Sequence, residues 1–517
     1  MNQRQSASGN ALPQLLQAVA AAWRRKDYQQ GIENLKRASK LDPLNVNILL
    51  DLGCAYGMRY EYATAEKYLE QACRLAPGAR KAEALTAAGI RSLEFHRVEM
   101  AQGYFQRALE VQGDSAEILV ALAESYERTH HLEDAVQMAD RALGLKTTYE
   151  PATLVRGRLA RKTGDLADAE ARLRRLTEKS EGDTWTRSRA WYELGGVLDR
   201  QGRYDEAMSA FLSAKELVRP SAGPASAAMQ DRLVRLKQME ANLTDEMSQR
   251  WHAEGATLEP RHRFVLLCGH PRSGTTLLEQ ALDAHPGIVS VEETDILADE
   301  AWLPLKRSFA TTTAHHEVLD STPESGLKEA RENYFRCAEK FLGEPLRSRL
   351  LIDKNPSLNG LIPAVARIFP EAKFLVAIRD PRDVCLSCFM QSLAITPVSV
   401  AYLSLEETAK AYAAEMNFLR AVLPRLKNPY LEVRYEDVVN DLASSLRRVL
   451  EFLEVDWNDR VLRFDQHAQT KIVRSPTYAD VKKPVFKTSV ARWQHYQKYL
   501  EPCLPTLEPF VKAFGYE

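Results

Sequence analysis

Gly269-His270-Pro271-Arg272-Ser273-Gly274-Thr275-Thr276 is the stretch that decides the fold of the second half of the chain. It follows Phe264-Val265-Leu266-Leu267-Cys268, a short apolar run of the kind that forms a buried strand. It precedes Leu277-Leu278-Glu279-Gln280-Ala281-Leu282, which reads as helix and ends near His285-Pro286. Strand, glycine-bearing loop and helix together aim backbone N–H groups and a helix N-terminus at a phosphate. A serine/glycine turn ahead of an ordinary helix is the plainer alternative.

Set against the triphosphate loop G-x-x-x-x-G-K-[ST], Gly269, Gly274 and Thr276 fit, but Thr275 stands where the lysine belongs. That lysine normally reaches the β- and γ-phosphates. Its loss speaks against an ordinary ATPase or GTPase, and Arg272 supplies a cation from within the loop instead. The loop therefore calls for a nucleotide with a different anionic tail.

Working outward, a second strand-to-helix transition lies at Phe374-Leu375-Val376-Ala377-Ile378-Arg379-Asp380-Pro381-Arg382-Asp383-Val384-Cys385-Leu386-Ser387. Arg379 at the strand end and Ser387 two helical turns on can converge on one phosphate. Arg379 and Arg382 can equally pair with Asp380 and Asp383. Cys385-Leu386-Ser387-Cys388 spells C-x-x-C, but no second pair or histidine stands at metal spacing, so both read as helix cysteines.

The region up to about residue 250 is different in texture. Gly31, Ala65, Ala101, Ala135, Ala169 and Ala207 recur at steps of 34, 36, 34, 34 and 38. Four residues on comes a mostly larger series, Leu35, Leu69, Phe105, Ala139, Leu173 and Phe211. Twelve before the first register lie Val19, Gly53, Gly89, Ala123, Gly157 and Gly195. Small residues where two helices touch, at a period near 34, mark tetratricopeptide repeats. Residues 1–250 are read as an array of about six repeats with a capping helix from about Met229 to Gln249, and residues 251–517 as the second domain. A generic helical bundle is the alternative.

Composition bounds the function. The 517 residues carry 69 Lys plus Arg and 70 Asp plus Glu, split 36 to 34 over residues 1–250 and 33 to 36 over 251–517. Neither half is polybasic, so bulk attraction to nucleic acid is not expected. No apolar run reaches a membrane span, and MNQRQSASGN lacks a signal core. Seven scattered cysteines suit a reducing cytoplasm better than a disulfide framework.

The loop PRSGTT followed about 107 residues later by R-D-P-R-D-x-x-x-S resembles the sulfotransferases that use 3′-phosphoadenylyl sulfate (PAPS). The stretch Pro271 to Leu277, with Leu282-Asp283-Ala284-His285-Pro286 and Glu292-Glu293-Thr294, is most similar to the tyrosylprotein sulfotransferases. The resemblance covers about residues 262–517. With the repeats in front, the architecture resembles bacterial tetratricopeptide–sulfotransferase proteins. It implies an all-α repeat solenoid followed by an α/β P-loop-type domain with a parallel sheet.

The resemblance also implies roles. Pro271, Arg272, Ser273, Gly274, Thr275 and Thr276 wrap the 5′-phosphosulfate; Arg379 and Ser387 hold the 3′-phosphate. Glu293 is the general base, Lys354 stabilises the leaving group with help from Arg272, and Tyr435 lies near the cofactor. Lys482-Lys483-Pro484-Val485 and Ser489-Val490-Ala491-Arg492-Trp493 match a C-terminal closing segment in which Lys483 reaches toward the 3′-phosphate. No metal is implied, because no triphosphate needs neutralising. Glu292 is expected to point away from Glu293 if the strand continues. Two departures are Gln391 and Asp295, where relatives carry arginines; the second bears on acceptor preference.

The expected activity is sulfuryl transfer to an acceptor hydroxyl, with protein tyrosine the first expectation and the repeat groove recruiting the polypeptide. A carbohydrate, lipid or small-molecule hydroxyl is the alternative acceptor. An inactive repeat scaffold and a P-loop kinase are the remaining readings. Animal tyrosylprotein sulfotransferases are membrane-anchored and lumenal, whereas this chain reads as a cytoplasmic relative.

Overall fold

The computed structural model describes residues 11–78, 80–178, 182–469 and 488–517. The chain divides into two compact units, the first ending at Val197 and the second beginning at Leu198.

The first unit is a succession of helix pairs: Ala11–Arg24 with Tyr28–Leu41, Val46–Met58 with Tyr62–Leu75, Arg80–Glu94 with Val98–Gln112, Ala116–Arg128 with Leu132–Leu145, and Glu150–Thr163 with Leu166–Thr177. Side-chain caps set several starts: Asp27 accepts from the Gln30 N–H, Asn45 from Ile48 and Asp165 from Asp168. The small-residue register marks the seams between paired helices. Ala65, Ala101, Ala135 and Ala169 are fully buried. A Cβ placed on Gly53 would lie 2.6 Å from Leu69 Cδ2, and one on Gly89 2.5 Å from Phe105 Cε1. The small and larger series seen in the sequence thus face each other inside one pair, and interior packing leaves no room for even a methyl group. The 38-residue step coincides with Thr184–Arg200, a helix of 17 residues where the preceding first helices have 13 to 15.

The second unit opens with the end of that helix, then Tyr204–Val218, Gly223–Asn242 and Asp245–Gly255. The single capping helix expected over 229–249 is two helices. Asn242-Leu243-Thr244 interrupts it, because the Thr244 hydroxyl accepts from the Met247 N–H at 3.1 Å and starts a new helix, while Leu243 is buried.

Five parallel strands follow: β1 Phe264–Gly269, β2 Ile288–Glu292, β3 Leu350–Lys354, β4 Lys373–Ile378 and β5 Tyr430–Arg434, in the order β2-β3-β1-β4-β5. Alternation sends Val265, Leu267, Ile352 and Leu375 to one face against Leu278, Leu282, Leu446 and Val449. Phe264 on the other face joins Tyr334, Phe335 and Phe369, with ring centroids 4.8–6.3 Å from it. Burial on both faces explains why β1, β3 and β4 read as mostly continuous apolar runs. From central β1 the chain winds first toward β2 and β3, then to β4 on the other side. The loops after β1 and β4 therefore part at the C-terminal edge, the crevice where open α/β sheets bind ligands.

Candidate active site

The phosphate loop is held at both ends by glycines. Gly269 closes β1 at φ +121°, and a Cβ there would lie 2.4 Å from the Ala377 carbonyl oxygen on β4. Asn359 brackets it: Nδ2 donates to the Gly269 carbonyl at 2.9 Å and Oδ1 accepts from its N–H at 3.3 Å. Gly274, at φ +88°, precedes the helix Thr275–Asp283; a Cβ there would lie 2.4 Å from Tyr435 Cδ2. Glycine alone lets the Tyr435 ring pack against the loop while the backbone stays left-handed. Ser273, Thr275 and Thr276 are buried and Pro271 half-buried in the loop. The first-turn N–H groups of a helix lack intrahelical acceptors, which is the donor set an anion uses.

A cationic cluster forms where this loop meets the end of β4. Arg272 Nε donates to Ser387 Oγ at 3.1 Å across 115 residues. Arg379 Nη1 donates to the Arg272 carbonyl at 3.1 Å, Nη2 to the Ser489 carbonyl, and its guanidinium lies over the Tyr435 ring, 4.8 Å from the centroid. Arg379 Nε is buried with no hydrogen-bond partner among the described residues. Arg382 does pair with Asp380, at 2.7 Å, and Arg379 lies 3.7 Å from Asp383. Both arginines thus have a carboxylate close by, and Arg379 in addition reaches the loop.

The second cluster sits at the ends of β2 and β3. Lys354 is fully buried, with Nζ 2.8 Å from Glu293 Oε1, 3.4 Å from Glu292 Oε1 and 3.4 Å from Thr276 Oγ1. Burial works against its charge, but Glu292, Glu293 and Glu279 hold its pKa above the usual lysine value. Glu292 does not point away from Glu293. The strand stops at Glu292, Glu293 takes φ +46° and donates its N–H to the Lys354 carbonyl at 2.7 Å, and both carboxylates reach one ammonium. Lys483 lies outside the described residues. All the other expected site residues lie along the C-terminal edge of the sheet, Tyr435 just past β5. Among the described residues no His/Cys/Asp/Glu group has a metal-site arrangement. Cys385 and Cys388 lie buried in the helix Pro381–Phe389.

Asp353, one residue before Lys354, faces the other side of the sheet. It accepts from the Tyr334 hydroxyl at 2.8 Å, and burial pushes its pKa up from 3.8 to about 7. The folded state thus keeps a proton that the unfolded chain loses above about pH 4. The site's contribution to stability is complete below that pH and is lost as pH rises through about 7. Asp353→Asn is expected to remove this dependence. Its melting temperature should gain on the wild type between pH 5 and 8, equivalent to at most about 4 kcal/mol. Parallel profiles across that range would refute the assignment.

Three residues of this region carry no sequence signal of their role. Asn359 and Glu415 lie in unremarkable helical segments, and Asp383 reads only as a neighbour for an arginine. Glu415 is buried, accepts from Arg232 of Gly223–Asn242 and from Asn359 Nδ2 at 3.2 Å, and so links that helix through Asn359 to Gly269. Burial penalises its charge, yet Arg232 holds its pKa below the usual carboxylate range.

The C-terminal edge of the parallel sheet thus carries a lysine-less glycine loop and a second cationic strand end. Residues 265–459 match the Sulfotransferase family, and residues 16–80 and 154–224 match the Tetratricopeptide repeat. The chain thus joins tetratricopeptide repeats to a sulfotransferase-family domain. It is 25% identical over 334 residues to an uncharacterized protein of Aquifex aeolicus (strain VF5), spanning 63% of this chain and 42% of that one. It is 26% identical over 270 residues to protein-tyrosine sulfotransferase A of Caenorhabditis elegans, spanning 49% of this chain and 67% of that one. Against protein-tyrosine sulfotransferase 1 of Danio rerio the identity is 27% over 272 residues, spanning 49% and 72%. No helix among the described residues is long and apolar enough to cross a membrane.

Proposed function

We propose that the chain transfers a sulfuryl group from 3′-phosphoadenylyl sulfate to a tyrosine hydroxyl of a polypeptide recruited by the repeats. The observation that carries this reading is the pairing of two clusters on one loop: Thr276 beside Lys354 and Glu293, and Arg272 beside Ser387 and Arg379. The residues fit an anionic nucleotide. Among the described residues Arg379 Nε is buried without a hydrogen-bond partner, and Gly274 lets the Tyr435 ring pack against the loop.

When bound, the cofactor supplies an activated sulfuryl group and a leaving nucleotide. The loop amides, Thr275 and Thr276 bind its 5′ end; Arg379 and Ser387 hold the 3′-phosphate, and Lys483 is assigned to the same phosphate. Glu293 takes the acceptor proton, since a phenol with pKa near 10 stays protonated at neutral pH. Lys354 and Arg272 neutralise charge that develops on the departing oxygen. As in phosphoryl transfer, the protein's part is positioning and electrostatic stabilisation. The names of the curated relatives favour tyrosine over other hydroxyls.

Incubation with radiolabelled cofactor and tyrosine-containing polypeptides tests the acceptor. Label is expected on tyrosine and lost when tyrosine is replaced by phenylalanine. Label appearing on a carbohydrate or lipid hydroxyl instead would overturn the tyrosine assignment.

A further inference from the structure

The R-D-P-R-D element holds a carboxylate that the proposed chemistry does not use. Asp383, in the helix Pro381–Phe389, has a fully buried side chain. Its two oxygens are engaged separately: Oδ2 accepts from the Ala491 N–H at 2.8 Å and Oδ1 from the Trp493 N–H at 2.8 Å. Ala491 stands at φ +57°, and this left-handed residue turns the amides at 491 and 493 toward one point, a small anion-binding concavity filled by the protein's own carboxylate.

The same carboxylate lies 3.7 Å from Arg379 Nη2, and that nitrogen also donates to the Ser489 carbonyl. Arg379 is thus fixed from two sides by one device, directly by Asp383 and through the segment that Asp383 holds. The segment is gripped from its other side as well. Arg492 Nη2 lies 2.6 Å from Asp199 Oδ2, the Tyr496 hydroxyl donates to Asp199 Oδ1 at 2.6 Å, and the Arg382 guanidinium sits 4.1 Å from the Trp493 ring centroid.

We infer that Asp383 is the positioning residue of the 3′-phosphate end of the site: by clamping the backbone of residues 491–493 it fixes the Arg379 guanidinium for that phosphate. This rests on the proposed function. Asparagine keeps the shape of Asp383 but offers one acceptor where two N–H groups need two. Binding and ordering are reciprocal, so a segment that raises nucleotide affinity is in turn stabilised by the nucleotide.

The test compares adenosine 3′,5′-bisphosphate with adenosine 5′-phosphate by calorimetry on the full chain. Asp383→Asn is expected to weaken the bisphosphate by about tenfold or more and the monophosphate by less than about twofold, since charge-assisted hydrogen bonds are at stake at one end only. Equal weakening of both nucleotides, or of neither, would overturn the inference. A second measurement needs no variant. In the wild-type chain the bisphosphate, and not the monophosphate, is expected to slow amide exchange at Ala491 and Trp493. Exchange indifferent to the bisphosphate would overturn the inference even if the variant fails to fold. A wild-type chain that does not prefer the bisphosphate would instead sink the proposed function itself.

Discussion

Glu293→Ala is expected to lower the transfer rate by about two to four orders of magnitude, the usual worth of a positioned general base. Affinity for adenosine 3′,5′-bisphosphate should change by less than about threefold. The separation follows from the geometry. Glu293 lies just past β2 and bonds Lys354, which in turn reaches Thr276 of the loop, whereas Arg272, Ser387 and Arg379 form the other cluster. Lys354 also keeps a partner in the variant, because Glu292 lies 3.4 Å away. The fold should therefore survive. Glu293→Gln preserves the shape and a hydrogen bond to Lys354 but cannot take a proton, so it should fall with the alanine variant. The loss belongs in kcat and kcat/KM alike, as for a group acting only in the transition state. Turnover within tenfold of wild type in either variant would refute Glu293 as the base.

Arg232→Ala is expected to destabilise the second unit by about 3–5 kcal/mol, read from the midpoint of urea unfolding. Glu415 is buried, and its paired cation comes from Gly223–Asn242. Removing that cation strands a carboxylate in the interior, which costs far more than the pair contributes. Replacing both partners by apolar residues of similar size, Arg232→Met with Glu415→Leu, should recover most of the loss. A cost below about 1 kcal/mol for the single variant would show that the pair is solvated. The same contact governs any truncation. Cutting at residue 250 removes Arg232, Lys215 beneath the Phe389 ring, and Asp199 beneath Arg492, whereas a boundary before Leu198 leaves all three in place.

Features that depend on local spacing were legible in the sequence. The 34-residue register identified the helix pairs because most seams set a small residue against a larger one. The strand runs at 264–268, 350–352 and 374–378 stood out because burial on both faces suppresses polar alternation. The phosphate loop was legible because its glycines answer local demands: a left-handed backbone at Gly274 and close approach of β4 at Gly269. Arg272, Glu293, Lys354, Arg379, Ser387 and Tyr435 are expected in the site through a resemblance to a family, and each stands at or shortly after a strand end.

Other features had no such footprint. Glu292 was expected to face away from Glu293, an inference that assumes strand alternation. One left-handed residue at 293 broke the alternation and put both carboxylates on Lys354. The helix read as the cap of the repeats carries the arginine that balances Glu415, a pairing across 183 residues. Asp383 looked like a local partner for an arginine; it lies near Arg379 and also holds amides 108 and 110 residues away.

The sequence by itself determined the two architectures, the order of the strands along the chain and the chemical types gathered at the loop. These follow from periodicity and from backbone geometry within a few residues. Only the tertiary structure decided which buried charges meet: Arg232 with Glu415, Asp383 with the backbone of 491–493, and Glu292 with Lys354. A buried charge must find its counter-charge or hydrogen-bond donors wherever the packed chain supplies them, and nothing in local spacing records that choice.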